Sequence, residues 1–191
     1  MNGIGKQGRA QLGALGLGTR KQAGFTLIEM AISVSILMIG IVSVVAATSR
    51  MHSLRQATRE QTLAMNGMRS IGERIHAASA RLSGDTADWA RDLGEIYGPG
   101  GSFGESFDVQ GLAPFGDDDA VGSIQLITDE TTSDAGLGFQ VGMPRDLNGD
   151  NDATDTDVSL NARILPVLLT VVWTGRQGRQ TIQQGLYVTG Y

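Results

Sequence analysis

Phe25-Thr26-Leu27-Ile28-Glu29-Met30-Ala31-Ile32-Ser33-Val34-Ser35-Ile36-Leu37-Met38-Ile39-Gly40-Ile41-Val42-Ser43-Val44-Val45-Ala46-Ala47 carries a single charge, at Glu29, and a single glycine. As an α-helix this run is about 35 Å long, enough to cross a hydrocarbon core of about 30 Å. A helix buried in a soluble core needs neither that length nor apolar residues on every side. A secretory signal has a shorter apolar stretch, followed by a small-residue cleavage site. The run therefore reads as a membrane-spanning helix that stays in the working protein.

Upstream, residues 1–24 contain Lys6, Arg9, Arg20 and Lys21 and no acid. They show no sustained periodicity and read as a leader segment. By the positive-inside rule the leader stays cytoplasmic, and the part of the chain beyond the span is extracytoplasmic. All 20 acidic residues fall at or after Glu29. Without the leader, 15 − 4 = 11 basic residues stand against 20 acids, a balance of −9. Such a surface serves solubility and does not suggest a nucleic-acid partner. The chain has no cysteine. That excludes a disulfide framework, a thiolate metal site and a cysteine nucleophile.

Downstream, the helix is expected to continue as an amphipathic segment over residues 48–83. Leu54, Ala64, Met68, Ile71, Ile75, Ala78 and Leu82 recur mostly at three- and four-residue steps and form one apolar stripe. Arg55, Arg59, Arg69 and Arg74 fall mostly off it. Ser83-Gly84-Asp85 is the stop signal. Residues 84–191 read as a β-rich globular head. The glycine-rich part up to Phe115 is expected to be loop, with a short helix near Trp89. Strands are expected at Ser123–Thr128, weakly at Leu137–Val141, and most strongly at Ile164–Thr174. Gly175-Arg176-Gln177-Gly178 is a turn that returns the chain along Gln180–Val188. The stripe on the helix needs a cover, and a small antiparallel sheet supplies one. The fold class is thus α+β: a long N-terminal transmembrane helix whose outer half packs on a small sheet.

Lys21-Gln22-Ala23-Gly24-Phe25-Thr26-Leu27-Ile28-Glu29, joined to the apolar run, resembles the N-terminal cleavage and methylation signal of type IV prepilins and pseudopilins. The resemblance covers Lys21 to about Ala47. It implies that prepilin peptidase cuts between Gly24 and Phe25, on the cytoplasmic side. Phe25 would become the N-terminus and be N-methylated, and Glu29 would pair with the terminal amine of a neighbouring subunit. The implied partners are other pilin or pseudopilin subunits, the peptidase and the inner membrane. Glu29 needs some partner on physical grounds as well. An ionised carboxylate inside a lipid-spanning helix costs several kcal/mol, roughly 2.5–3.5 on insertion scales, unless it is paired or close enough to the interface to stay wet.

In the head, Asp146, Asn148, Asp150, Asp152 and Asp157 fit positions one, three, five, seven and twelve of a calcium loop. Asn151 stands where the template has glycine, and asparagine tolerates positive φ better than most residues. Asp157 is shorter than the usual bidentate glutamate, and no flanking helix pair is expected. Calcium binding and a solvated acidic turn both remain open readings. Asp117-Asp118-Asp119 reads as a solvated turn. His52 and His76 are too far apart on one helix to meet. Gly98-Pro99-Gly100-Gly101 lacks the lysine and helix of a phosphate cradle. Trp173, Tyr187 and Tyr191 read as sheet packing. No nucleophile–base pair or enzymatic metal cluster is evident, so a structural subunit is expected and not an enzyme. The irregular head, and the absence of the C-terminal cysteine pair that many major pilins use, point to a minor pilin. A minor pseudopilin of type II secretion is one alternative. An unprocessed single-span protein with a ligand-binding head is another.

Overall fold

The computed structural model describes residues 24–85, 88–176 and 178–190. The leader expected over 1–24 lies outside them except for Gly24, as do Gln177 of the expected turn and Tyr191. The chain divides into two units, Met1–Ala47 and Thr48–Tyr191.

In the first unit, α1 (Leu27–Asp85) begins. Thr26 precedes it, and the Thr26 hydroxyl accepts a hydrogen bond from the Glu29 amide at 3.2 Å. This satisfies one of the four amides that a helix start leaves unpaired. With Glu29 three residues on, Thr26-x-x-Glu29 has the spacing of a capping box. Every residue from Gly24 to Ala47 is exposed. The helix contains an apolar window of mean hydropathy 2.5, none of it buried. Two hydroxyls inside the run bond back to the helix. Ser35 donates to the Ala31 carbonyl and Ser43 to that of Ile39, which is what a polar group needs where water is absent.

In the second unit, the later part of α1 packs on a four-stranded antiparallel sheet of order β1-β2-β3-β4. The strands are β1 (Ser106–Phe107), β2 (Gly122–Leu126), β3 (Ile164–Gly175) and β4 (Gly178–Thr189). Alternation puts Leu165, Val167, Leu169, Val171 and Trp173 on one face of β3, and all are buried. Register adds Ile124 opposite Leu169, and Leu186 and Val188 opposite Val167 and Leu165. Against this face lies the stripe of α1. Ala64, Met68, Ile71, Ile75 and Ala78 are buried and Leu82 partly so. Leu54, at the start of the expected stripe, is 67% exposed. The contact is close at Gly67, where an added Cβ would meet the Val109 side chain at 2.6 Å. Long-range hydrogen bonds fix the helix on the sheet: Ser79 donates to the Thr189 carbonyl, and the Trp173 indole to Glu60.

A second helix, α2 (Trp89–Tyr97), buries Trp89, Ala90, Leu93 and Tyr97 in the same core. The Trp89 indole donates to the Ala162 carbonyl at 2.9 Å. The strand expected at Leu137–Val141 does not form. Ser133 caps a short helix, α3 (Asp134–Leu137), which ends at Gly138 in the left-handed region. The Asp134 carboxylate then accepts from the amides of Val141, Gly142 and Met143. Those three donors are used by a side chain and so are not offered to a neighbouring strand.

Candidate functional site

The expected processing site is open. Gly24 is exposed, and a Cβ built there would meet nothing within 4 Å. Phe25 is 75% exposed. Glu29 lies exposed in the first turn of α1, where a negative charge favours the helix dipole. Gly24, Phe25 and Glu29 thus share one accessible segment at the start of an unburied apolar helix. Sequence reading missed Thr26, though its spacing to Glu29 was the available signal.

The acidic loop is a chain of side-chain-to-backbone turns. Asp146 accepts from the amides of Gly149 and Asn151, Asn148 from Asp150, Asp150 from Asp152, Asp152 from Thr154, and Asp157 from Ser159. Gly149 and Asn151 have φ of 81° and 75°, so asparagine does take the conformation that the calcium template assigns to glycine. The Asn148 amide donates to Asp150 and to Asp155, at 3.2 and 2.9 Å. Asp155, which the template does not use, is therefore closer to the loop centre than the spacing suggested. Among the described residues, no group of three or more acidic or histidine side chains is placed to hold a metal ion.

Beneath the loop sits Glu130, fully buried. Its Oε1 accepts from the amides of Leu147 and Asn148 at 2.6 and 3.3 Å. Its Oε2 is buried and has no hydrogen-bond partner among the described residues. A buried carboxyl oxygen without a partner is costly. No sequence signal marked Glu130, because its partners are backbone amides 17 and 18 residues away.

Two half-buried aspartates titrate low. The Met143 amide foremost, with Val141 and Gly142, holds Asp134 below the usual carboxylate range. The Gly149 amide foremost, with Asn151, does the same for Asp146. A depressed folded-state pKa contributes stability that is complete above the ordinary aspartate value of about 3.9 and is lost as the pH falls through the folded value. The loops at 134–143 and 146–157 are therefore expected to hold at pH 5 and to loosen below about pH 4. Amide hydrogen exchange at Val141, Met143, Gly149 and Asn151 across that window checks this. Exchange that is independent of pH, after correction for the intrinsic rate, would contradict it.

His52 and His76 are both exposed on α1, and Asp117, Asp118 and Asp119 are exposed on a loop.

Residues 19–45 match the family described as the Prokaryotic N-terminal methylation motif. Neither a curated protein nor a solved structure matches the chain. The matched segment brackets Gly24, Phe25 and Glu29 and runs into the exposed apolar helix. The chain therefore carries, at residues 19–45, the prepilin-type signature of the type IV pilin and pseudopilin class.

Proposed function

We propose that this chain is a structural subunit of a type IV pilus-type filament, of the minor-pilin kind, anchored in the inner membrane with its head outside. The observation that carries the proposal is the methylation motif leading into a helix whose apolar window has no buried residue. In this reading prepilin peptidase cuts between Gly24 and Phe25. The run 25–47 holds the subunit in lipid until assembly, then in the packed helices of the polymer. No catalytic role is assigned to the head. N-terminal sequencing of the membrane-extracted protein tests the reading. A chain beginning at Phe25 is expected. One beginning at Met1 would overturn it in favour of an unprocessed single-span protein. Loss of secretion with intact piliation in a deletion strain would instead assign the subunit to a type II secretion pseudopilus.

Within this reading Glu29 accepts the Phe25 ammonium of a neighbour, which relieves the cost of a carboxylate in lipid. Glu29→Ala is expected to be cleaved normally yet recruited into polymer at least tenfold less, from a loss of that size in pairing energy. Normal recruitment in a fractionation assay would remove the pairing role.

Calcium binding by the 146–157 loop is a second proposal, favoured by the orphaned Oε2 of Glu130 at the loop's base. Asp146, Asn148, Asp150, Asp152 and Asp157 would supply oxygens. An oxygen that accepts one amide proton keeps a second lone pair, so the turns do not exhaust the donor set. Calcium at 100 times its Kd is expected to add about 2.7 kcal/mol of stability. An unchanged Tm at millimolar calcium would leave the loop a self-bonded acidic turn.

A further inference from the structure

In the unit Thr48–Tyr191, carboxylates without an ion pair among the described residues gather in a groove beside the sheet, and arginines without one gather on α1, while Arg179 and Arg145 on the outer side lie over the Phe115 and Tyr187 rings. The inner face of the sheet is covered by α1, as described. The outer face is covered at one end only. There Phe139 and Val141 lie over Gly185, and the Tyr187 hydroxyl donates to the Val141 carbonyl. At the other end Ser123, Gln125, Thr170 and Val172 share the outer face by register. They line a groove of about 1260 Å³ between the sheet and α2. Glu95, Glu105, Asp118, Asp119 and Asp157 also line it, all of them exposed. The groove's cation, Arg91, is already taken by Asp88, Asp92 and Glu95. Glu105, Asp118, Asp119 and Asp157 form no ion pair among the described residues.

The opposite sign lies on α1. Arg55, Arg59, Arg74 and Arg81 are exposed and form no ion pair among the described residues, whereas Arg69 is matched by Glu73. At roughly 100° per residue these four fall within an arc of about 100°, turned away from the stripe of Ala64, Ile71 and Ala78. Among the described residues, none of these arginines pairs with a carboxylate of the groove within the chain.

We propose that the open outer face of the sheet docks the arginine face of α1 from a second copy of this chain. The contact is heterologous, with different patches on the two partners, so repetition continues a stack and does not close a pair. Guanidinium groups suit it, because their fork of donors matches carboxylates two bonds at a time. Hydroxyl and amide oxygens of Ser123, Gln125 and Thr170 on the groove floor add neutral acceptors. The inference rests on the subunit reading. It requires several copies of this chain to adjoin one another in the polymer.

The chain lacks cysteine, so introduced thiols are the only ones present. The full-length chain carrying both D119C and R74C is expressed in its native membranes and oxidised. A ladder of cross-linked multimers is expected. Either single variant is expected to give dimers at most. Adding R59E and R81E is expected to lower the ladder about tenfold, since attraction becomes repulsion at exposed charges. Adding E105R and D118R to that variant restores it. No D119C–R74C cross-link, or a ladder indifferent to these reversals, overturns the inference. A chain found to begin at Met1 overturns the subunit reading separately. A chain that begins at Phe25 and sediments with filaments, yet does not cross-link, overturns only the docking. Binding to anionic vesicles that R59E and R81E abolish, with no cross-link, assigns the arginines to the lipid surface and likewise overturns it.

Discussion

Replacing Gly24 with leucine is expected to leave every copy of the chain at full length in the membrane fraction. The effect should be close to complete, because it acts on a cut that either happens or does not. It should also be confined to the cut. A Cβ at Gly24 meets nothing within 4 Å in this protein, so the substitution costs the fold nothing; any obstruction arises in the peptidase. Gly40→Ala is the matched control, since Gly40 is also in open space within the apolar run. It should be processed normally. Mass spectrometry of membrane extracts separates the outcomes by the mass of the leader. A normally shortened product from Gly24→Leu would end the peptidase assignment. The uncut chain has no amine at Phe25, so it should also fail to enter polymer even with Glu29 intact.

The second large effect is expected in the head. Leu169 is fully buried on the inner face of β3, beside Ile124 across β2. Leu169→Ala is expected to destabilise the head by about 2–5 kcal/mol, the sum of lost transfer energy and the cavity left behind. Domains have only about 5–15 kcal/mol to lose. The midpoint of thermal unfolding should fall by roughly 10 °C. Trp89 and Trp173 are both buried in this core, so their fluorescence reports the head without interference from the apolar helix. Leu160→Ala is the control. Leu160 is 58% exposed, and its loss should stay within about 0.5 kcal/mol. An unchanged midpoint for Leu169→Ala would mean that the inner face of β3 is not the core.

What could be read from the sequence was whatever depends on short spacing. The apolar run, the stripe from Ala64 to Leu82, and the alternation of Val167, Leu169, Val171 and Trp173 are all local periodicities, and the structure places each as expected. The pairing of Gly175 with Gly178, where the chain was expected to turn back, is local as well. Asn151 at positive φ followed from one residue type at one template position. Features set by distant partners stayed hidden. Leu137–Val141 looked like a strand because nothing in its own letters shows that Asp134 takes the amides of Val141, Gly142 and Met143. Strand β1 has two residues, too few for any period. Glu130 is one acid among many until its amide partners are seen. Asp155 came close to Asn148 for the same reason, through the path of the backbone.

The hydrogen bonds from Ser79 to Thr189 and from Trp173 to Glu60 span 110 and 113 residues. They impose an order in time on the making of the protein. The stripe of α1 leaves the ribosome early, while the strands that cover it come last. At about 5–20 residues per second the delay is roughly 5–20 s. During that interval the apolar run is already available to the membrane, but Met68, Ile71 and Ile75 have no cover. A chain stopped before Ile164 never acquires one. Quality-control proteases would therefore meet incomplete subunits as anchored helices with a bare apolar stripe, a signal that only the last strand pair removes.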